Sequence, residues 1–221
     1  KGVHAEKVSV VPGGASLDQF RNAAPFDYRS LGWQGKVFGY VSSISKLRNS
    51  QDVIEAFDMV QRAVSVPVYL AMVGPVYEPE FFTDYVRERG LEGKVKFFGQ
   101  VPHREVPAYV KGCDVVVSYF PDEDHIFHQV SQPYKVIEYF AAGRPTVLSE
   151  QICHRNIAND GVDSLFVGPT PAALAGGMLA LLGDTPLAAR LAAGALETAD
   201  RYSFGAVARL AEAAYERSLR A

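Results

Sequence analysis

The sequence predicts an α/β fold in which helices cover both faces of a parallel sheet. Short apolar runs recur along the chain, and helical stretches separate them. The apolar runs are continuous rather than alternating, which is typical of strands buried on both faces. After residue 170 the composition changes to Ala- and Leu-rich stretches of helical length. We therefore expect a connecting segment over 1–35, a sheet domain over 36–170 and C-terminal helices of the same domain over 171–221.

The first 35 residues are predicted to lead into this domain. A short strand is expected at Val8–Val11, followed by a turn at Pro12-Gly13-Gly14, because Pro and Gly favour turn geometry. Between this turn and Gly35 the sequence shows no regular pattern. The segment is therefore expected to be a connection, and a simple surface loop is the alternative interpretation.

Six apolar runs predict the strands of the sheet. They are Val37–Val41, Val68–Val73, Val95–Phe98, Val115–Tyr119, Thr146–Leu148 and Leu165–Val167. Apolar residues at helical spacing lie between the first four runs and predict three helices. The three stripes are Val53, Ile54, Phe57 and Val60, then Phe81, Phe82, Tyr85 and Val86, and then Val106, Tyr109 and Val110.

Three further helices are predicted at the C-terminal end, at roughly 171–182, 186–200 and 203–220. Gly183-Asp184 and Tyr202-Ser203 separate them, since Gly, Asp and Ser favour helix ends over helix interiors. The sequence contains no internal repeat and no low-complexity segment.

The composition is that of an ordinary globular protein. With 221 residues, 48% of them hydrophobic, the chain can form a substantial core, and its net charge of -3 lacks the basic excess of nucleic-acid-binding proteins. Cys113 and Cys153 have no second Cys at metal or redox spacing, so we expect buried free thiols in a reducing compartment. No apolar run reaches the ~18 residues of a membrane span. Because the chain opens on Lys1, we expect a fragment of a longer protein.

The stretch Gln132–Val147 carries the strongest functional signal. Pro133 suits the first turn of a helix, and Gly143 supplies its stop. The free N–H groups of this helix start, together with Lys135, would bind a phosphate, and Glu138 would accept hydrogen bonds from sugar hydroxyls. The alternative is that both charged residues form a solvated face opposite an apolar stripe. That stripe is Val136, Ile137, Phe140 and Ala141.

Other ligand-binding candidates follow from the predicted sheet. In an open parallel sheet a ligand lies outside the carboxyl ends of the strands, where the strand order reverses. This rule selects the loops Ser42–Asn49, Gly74-Pro75-Val76, Gly99–His103, Phe120–Gln132 and Ser149–Asn156. The first loop is a second phosphate candidate, because it has small hydrogen-bond donors and two cations, Lys46 and Arg48. Solvated charges at a helix start are the alternative interpretation.

The histidines give too little support to predict a metal site. Around four of the five, which are His103, His125, His128 and His154, no carboxylate or Cys completes a recognised ligand spacing. We therefore expect no metal. A histidine in the 120–132 loop would instead meet a phosphate or a sugar.

The run from Gln132 to Val147 resembles the Pro-x-Lys-x-x-Glu-Tyr-x-Ala-x-Gly-x-Pro signature of the donor-binding half of family-four retaining glycosyltransferases of the GT-B fold. The resemblance extends from about Val8 to Tyr202-Ser203-Phe204, which looks like the family's Ser-Trp element before its final helix. It implies one of two Rossmann-like domains, with a nucleotide diphosphate sugar bound between them. The sugar would pass, with retained configuration, to a saccharide or lipid-linked acceptor.

The resemblance also implies what surrounds this domain. The acceptor site and the catalytic groups would lie on an N-terminal domain, so this chain alone is expected to bind nucleotide without turnover. No cofactor beyond the nucleotide-sugar substrate, no metal and no nucleic acid are implied. The family's usual setting is cytoplasmic, at the inner face of a membrane with peripheral contact through the N-terminal domain. Cell-surface polysaccharide or glycolipid synthesis is its frequent role.

Carried over residue by residue, the resemblance assigns a donor site. Ser43 stands at the position of a family Arg, and Arg48 at that of a Lys that grips the diphosphate. Gly74 belongs to a turn beside the base, and the backbone near Val101 would contact the base without revealing its identity. Glu138 would bind the ribose hydroxyls. The helix start that would hold the distal phosphate consists of Gln132, Tyr134, Lys135 and Val136.

Two departures from the family pattern leave other functions open. Ser43 lacks the charge of the family Arg, and Val130 stands where members often carry a Glu near the donor sugar. A degenerate nucleotide-sugar-binding module without activity is therefore one alternative. A nucleotide-sugar 2-epimerase is another, since these enzymes share the two-domain architecture, although their sequences normally differ around the Pro-x-Lys-x-x-Glu site.

Overall fold

A computed structural model of the chain describes residues 8–121 and 131–219. Its strands are β1 (Lys36–Val41), β2 (Val68–Val73), β3 (Val95–Gly99), β4 (Val115–Ser118), β5 (Thr146–Ser149) and β6 (Leu165–Val167). They form one parallel sheet in the order β3-β2-β1-β4-β5-β6. All six predicted strands are confirmed to within one residue at each end. This order is that of a Rossmann-like fold, and it reverses between β1 and β4.

The described residues form nine α-helices. They are α1 (Leu17–Arg21), α2 (Ser50–Ala63), α3 (Pro79–Glu88), α4 (Val106–Gly112), α5 (Tyr134–Ala141), α6 (Ile152–Arg155), α7 (Pro171–Gly183), α8 (Thr185–Asp200) and α9 (Phe204–Leu219). The predicted helices are confirmed, and the three C-terminal ones agree to within one residue. Helix α5 begins one residue later than expected. Pro133 precedes it as the N-cap, because its ψ of 90° is not helical.

No single helix in the described ranges is long and apolar enough to cross a membrane, although α7 and α8, bent by 101° at their junction, pass that test as a pair.

Both faces of the sheet are covered, as the sequence predicts. Successive strand residues point to opposite faces, so Phe38 and Tyr40 of β1 pack with α2 and α7, whereas Val37 packs on the side of α4 and α5. Each strand therefore contributes apolar side chains to two cores. This two-sided burial is the physical reason for the continuous apolar runs.

The prediction of a strand at Val8–Val11 is wrong, because these residues form no strand. Val8 and Val10 are exposed, and the hydroxyl of Ser9 accepts a hydrogen bond from Arg217 of α9. The segment thus runs beside a helix, whose backbone groups are already paired, and finds no strand to pair with. It nevertheless joins the domain further along, where Trp33 is buried in the core.

Helix α5 is tied to the end of β1 by a tyrosine. The Tyr139 hydroxyl accepts a hydrogen bond from the Val41 N–H at 2.9 Å and donates to the Val41 carbonyl at 3.2 Å. Strand β4 pairs with β1 only at Phe38 and Gly39, so Val41 extends beyond that ladder. The buried phenol therefore takes the place that a neighbouring strand would occupy.

We expect Tyr139→Phe to lower the free energy of unfolding by about 1–3 kcal/mol, because it removes the partner of two backbone groups in a largely buried position. Denaturant unfolding followed by circular dichroism measures this change. Tyr215→Phe is the matched control, since the Tyr215 ring is 72% exposed on α9, and its effect should stay within about 0.5 kcal/mol. Equal stability of Tyr139→Phe and the parent chain would contradict the role given to the phenol.

Candidate functional site

A cavity of about 320 Å³ opens at the carboxyl edge of the sheet, beside the reversal of strand order. It brings together the predicted site residues Gly74 and Val101 with Ser42 and His103, which lie at the ends of two of the predicted ligand loops. The loops that follow β1, β2 and β3 all contribute to its wall. The position agrees with the general rule for ligand sites in open α/β sheets.

Gly74 is required where two of these loops touch. Its φ is +142°, and a side-chain carbon placed there would lie 2.0 Å from the Ser42 carbonyl oxygen. Its N–H donates to the Gly99 carbonyl at 2.9 Å, and the Ser42 N–H donates to the Val73 carbonyl at 2.9 Å. The wall of the cavity at this point is therefore backbone, and only glycine fits there.

The loop after β1 continues along the chain segment that follows β2. Ile44 donates its N–H to the Pro75 carbonyl at 2.8 Å, and Tyr77 donates to the Ile44 carbonyl at 3.0 Å. A single 3₁₀ turn, Lys46–Arg48, then leads into α2. The loop is thus held in place before it presents Arg48, which is exposed, and Ser43, which is half-buried.

The two cations of this turn point to different places. Lys46 lies over the Phe81 ring, 4.0 Å from its centroid, and so faces α3. Arg48 lies close enough to Lys135 for its charge to lower the pKa of that lysine. The charge of Arg48 is therefore within electrostatic range of Lys135, whereas Lys46 faces α3.

Lys135 is held in a largely apolar position in the first turn of α5. Its ammonium donates to the Ser42 hydroxyl at 3.1 Å and lies 5.3 Å from the Tyr40 ring centroid and 5.0 Å from that of Phe120. Desolvation, followed by the repulsion of Arg48, lowers the pKa of Lys135 from its ordinary 10.5 to about 7. Within the described part of the chain no carboxylate forms an ion pair with it. A bound anion would supply the missing negative charge.

Glu138 lies one turn further along α5, on the same side of the helix as Lys135. Its side chain is 16% exposed, and its Oε1 lies 2.9 Å from Nε2 of His103. A carboxylate and an ammonium therefore stand next to the cavity, three residues apart on one helix.

The remaining predicted residues at the helix start have structural partners. The side-chain amide of Gln132 accepts from the Gly13 N–H at 2.7 Å and donates to the Gly13 carbonyl at 3.4 Å. The Tyr134 ring is half exposed, and its hydroxyl end lies against Gly13. The Val136 side chain is fully buried in the core. The structure thus does not bring the side chain of Val136 to this edge.

Among the histidines, His154 makes contacts that support the fold. Its Nδ1 donates to the Ser149 carbonyl at 2.7 Å, its Nε2 lies 3.0 Å from the Ser118 hydroxyl, and its ring stacks on Phe120. It therefore ties β4 to β5 and holds Phe120, the ring next to Lys135. No group of three His, Cys, Asp or Glu side chains in the described ranges is placed to hold a metal ion. The positions of His125, His128 and Val130 lie outside those ranges.

A larger cavity, of about 700 Å³, lies at the opposite edge of the sheet, where β1 and β2 begin. Aromatic side chains of the connecting segment, among them Tyr28 and Trp33, form part of its wall and stack on each other. Its lining contains no α-helix start and none of the predicted site residues. We therefore place the candidate site at the carboxyl edge.

Comparisons with known proteins identify the family and the fold of this chain. A family model described as "Glycosyl transferases group 1" matches residues 35–184. D-inositol 3-phosphate glycosyltransferases of Corynebacterium kroppenstedtii and Corynebacterium glutamicum are 24% and 27% identical over 97% and 92% of this chain, and the aligned regions cover 49% and 50% of those proteins. The chain thus spans about half the length of the curated relatives it matches.

Solved structures show the same fold. The Anabaena protein HepE in complex with UDP and glucose superposes with a TM-score of 0.80 at 21% identity, over 100% of this chain and 59% of HepE. The C-terminal domain of a group 1 family protein, LpcC, from Francisella tularensis gives a TM-score of 0.69 at 18% identity, over 86% of this chain and 100% of that domain. The chain therefore has the fold of the C-terminal half of a GT-B glycosyltransferase.

We expect Lys135→Met to raise the free energy of unfolding at pH 6, because the folded lysine is then charged in a position that disfavours charge. The gain should shrink as the pH rises from about 7, the pKa of the folded lysine, towards 10.5, the pKa of the unfolded lysine. Over this range the folded lysine is neutral, and the cost of removing its proton on folding falls as the pH rises. Denaturant unfolding of both proteins from pH 6 to 10 measures the difference. A difference that stays constant with pH would contradict this environment for Lys135, and Lys46→Met controls for loss of a lysine.

Proposed function

Because this chain belongs to the group 1 glycosyl transferases, we propose that it binds the nucleotide diphosphate sugar from which such an enzyme transfers a sugar. The observation that carries the proposal is the convergence of Lys135 and Arg48 at the start of α5, next to a cavity that Glu138 adjoins. Two cations at a helix start suit a diphosphate, and the cavity suits the nucleoside attached to it.

The base would enter the cavity of about 320 Å³. Backbone groups near Gly74 and Val101 form part of its wall, so they could read a base edge without a specific side chain. Uridine diphosphate, which the crystallised HepE protein binds, is the first nucleotide to test. Guanosine and adenosine diphosphates are the others.

The diphosphate would lie between Lys135, Arg48 and the first N–H groups of α5. Lys135 is pre-positioned by the Ser42 hydroxyl, and the nearby Tyr40 and Phe120 rings exclude water from its charge. Electrostatic attraction is stronger in such surroundings than in water. Arg48 can add a bidentate contact, which a lysine at that position cannot make.

The same cations would assist sugar transfer by stabilising the negative charge of the departing diphosphate. Fixed cations and a helix start can perform this role without a metal ion. We propose that the transfer retains the anomeric configuration and that the acceptor, a saccharide or a lipid-linked saccharide, is bound by a further domain. On this view the 221-residue chain binds nucleotide but does not transfer sugar by itself. A cytoplasmic setting at the inner face of a membrane, in polysaccharide synthesis, is part of the proposal.

A binding module without activity is the second candidate. Ser43 supplies no charge, and Lys46, the nearest substitute, is directed at Phe81 instead. The clamp on the diphosphate is therefore smaller than the family pattern. Product analysis on the complete protein separates the candidates, since a transferase yields a new glycoside, a 2-epimerase yields epimerised free donor, and an inactive module yields neither.

Calorimetric titration of the chain with UDP, GDP and ADP and their sugar conjugates tests donor binding. We expect one base to bind selectively and Glu138→Ala to weaken that binding by about 1–3 kcal/mol, because hydrogen bonds between the carboxylate and the ribose are lost. Glu88→Ala, an exposed glutamate at the end of α3 that leads into β3, is the matched control. Undiminished affinity of a well-folded Glu138→Ala variant would rule out this role.

Arg48→Ala should weaken binding of the same nucleotide by about 1–3 kcal/mol, because one charged contact to the diphosphate is lost. Lys46→Ala, two residues away on the same 3₁₀ turn, should leave the affinity within about 0.5 kcal/mol, since that ammonium lies over Phe81. Calorimetry on both variants distinguishes a specific contact of Arg48 with the diphosphate from a general effect of positive charge on the turn. Equal losses would mean that the turn contributes only general positive charge.

A further inference from the structure

A hydrogen bond between His103 and Glu138 joins two parts of the candidate site. Nε2 of His103 lies 2.9 Å from Oε1 of Glu138. The His103 side chain is 69% exposed, whereas that of Glu138 is 16% exposed, so the imidazole lies on the solvent side of the carboxylate. Because an ionised carboxylate only accepts hydrogen bonds, Nε2 carries the proton that joins them.

His103 is itself held from two directions. It begins the 3₁₀ turn His103–Glu105, directly after the loop whose residue Val101 lines the cavity. Its ring meets the Phe20 ring edge-on, with 6.3 Å between the centroids, and Phe20 is buried on α1. The imidazole therefore has a fixed apolar neighbour on one side and the carboxylate on the other.

We propose that His103 is a positioning residue that aims the Glu138 carboxylate at the ribose hydroxyls and fixes its distance from the base. This proposal rests on the function proposed above, because it assigns Glu138 to the ribose. His103 lies on the loop next to the base, and Glu138 lies on the helix next to the diphosphate. One hydrogen bond thus sets the spacing between the two ends of a nucleoside.

The chemistry of the pair suits this role. Oε1 is engaged by the imidazole, which leaves Oε2 to accept hydrogen bonds from the two adjacent hydroxyls of a ribose. A glutamate without this partner loses rotamer freedom when it binds, whereas a glutamate already held by a neighbour loses less. The carboxylate is also kept out of water by the same ring, which strengthens its hydrogen bonds. His103 would therefore act on ribose recognition through Glu138.

The ribose hydroxyls provide a direct readout. The test is titration of the 221-residue chain with UDP, GDP and ADP and with the 2′,3′-dideoxy form of each. We expect the nucleotide that binds to be preferred over its dideoxy form by about tenfold or more, because two hydrogen bonds to a carboxylate are lost. His103→Phe, which keeps a ring against Phe20 but has no donor, should reduce this preference to roughly threefold or less. Its affinity for the dideoxy form should change little.

Two variants sharpen the comparison. His103→Gln retains an N–H donor of similar reach and should restore most of the preference, whereas Arg104→Ala, on the same turn, should leave it unchanged. If His103 had a merely structural role, His103→Phe would weaken the binding of the ribose nucleotide and of its dideoxy form equally. An unchanged preference in His103→Phe therefore overturns the proposal. If the parent chain shows no preference, and Glu138→Gln binds as the parent does, the ribose assignment of Glu138 fails and this proposal with it. A parent preference that Glu138→Gln abolishes and His103→Phe retains leaves the proposed function standing and rejects His103 alone.

Discussion

The hydrogen bonds of Tyr139 to the end of β1 organise the carboxyl edge. The order of the sheet reverses between β1 and β4, and β1 extends beyond the ladder that joins them, so the backbone of Val41 has no strand partner on that side. The phenol satisfies both groups of Val41 and draws α5 onto the strand. One turn earlier on the same helix, Lys135 is thereby placed against Ser42, the residue that follows Val41. The position of the ammonium thus follows from a contact made in the core.

The same arrangement lowers the folding stability of the domain but would favour the binding of an anion. Burial removes water from the Lys135 ammonium and thereby disfavours its charge, although the faces of the Tyr40 and Phe120 rings attract it. The same removal of water would strengthen the attraction between the ammonium and an anion. His154, by stacking on Phe120, keeps one of these rings in place. The buried position of Lys135, which lowers folding stability, is therefore the one that we propose for binding a phosphate.

Sequence patterns predicted the fold well, because burial on both faces leaves a continuous apolar run in every strand. They failed at Val8–Val11, since an apolar run does not reveal whether a strand lies beside it. Glu138 and Lys135 were predicted from the helix start. Their contacts with His103 and Ser42 were not predicted, because these contacts join residues 35 and 93 positions apart. The hydrogen bonds of Tyr139 to the Val41 backbone were not predicted for the same reason, because an aromatic residue in a helix normally indicates only burial.

The backbone wall at Gly74 has a consequence for the evolution of the cavity. A residue that admits no side chain cannot acquire a new preference by substitution, and its neighbour across the contact is a carbonyl oxygen, which every amino acid shares. Variation in what the cavity accepts must therefore come from the side chains around this backbone wall, of which Ser42, Gln100 and His103 carry polar groups. A library directed at those three positions would explore the selectivity of the cavity while leaving its backbone wall intact.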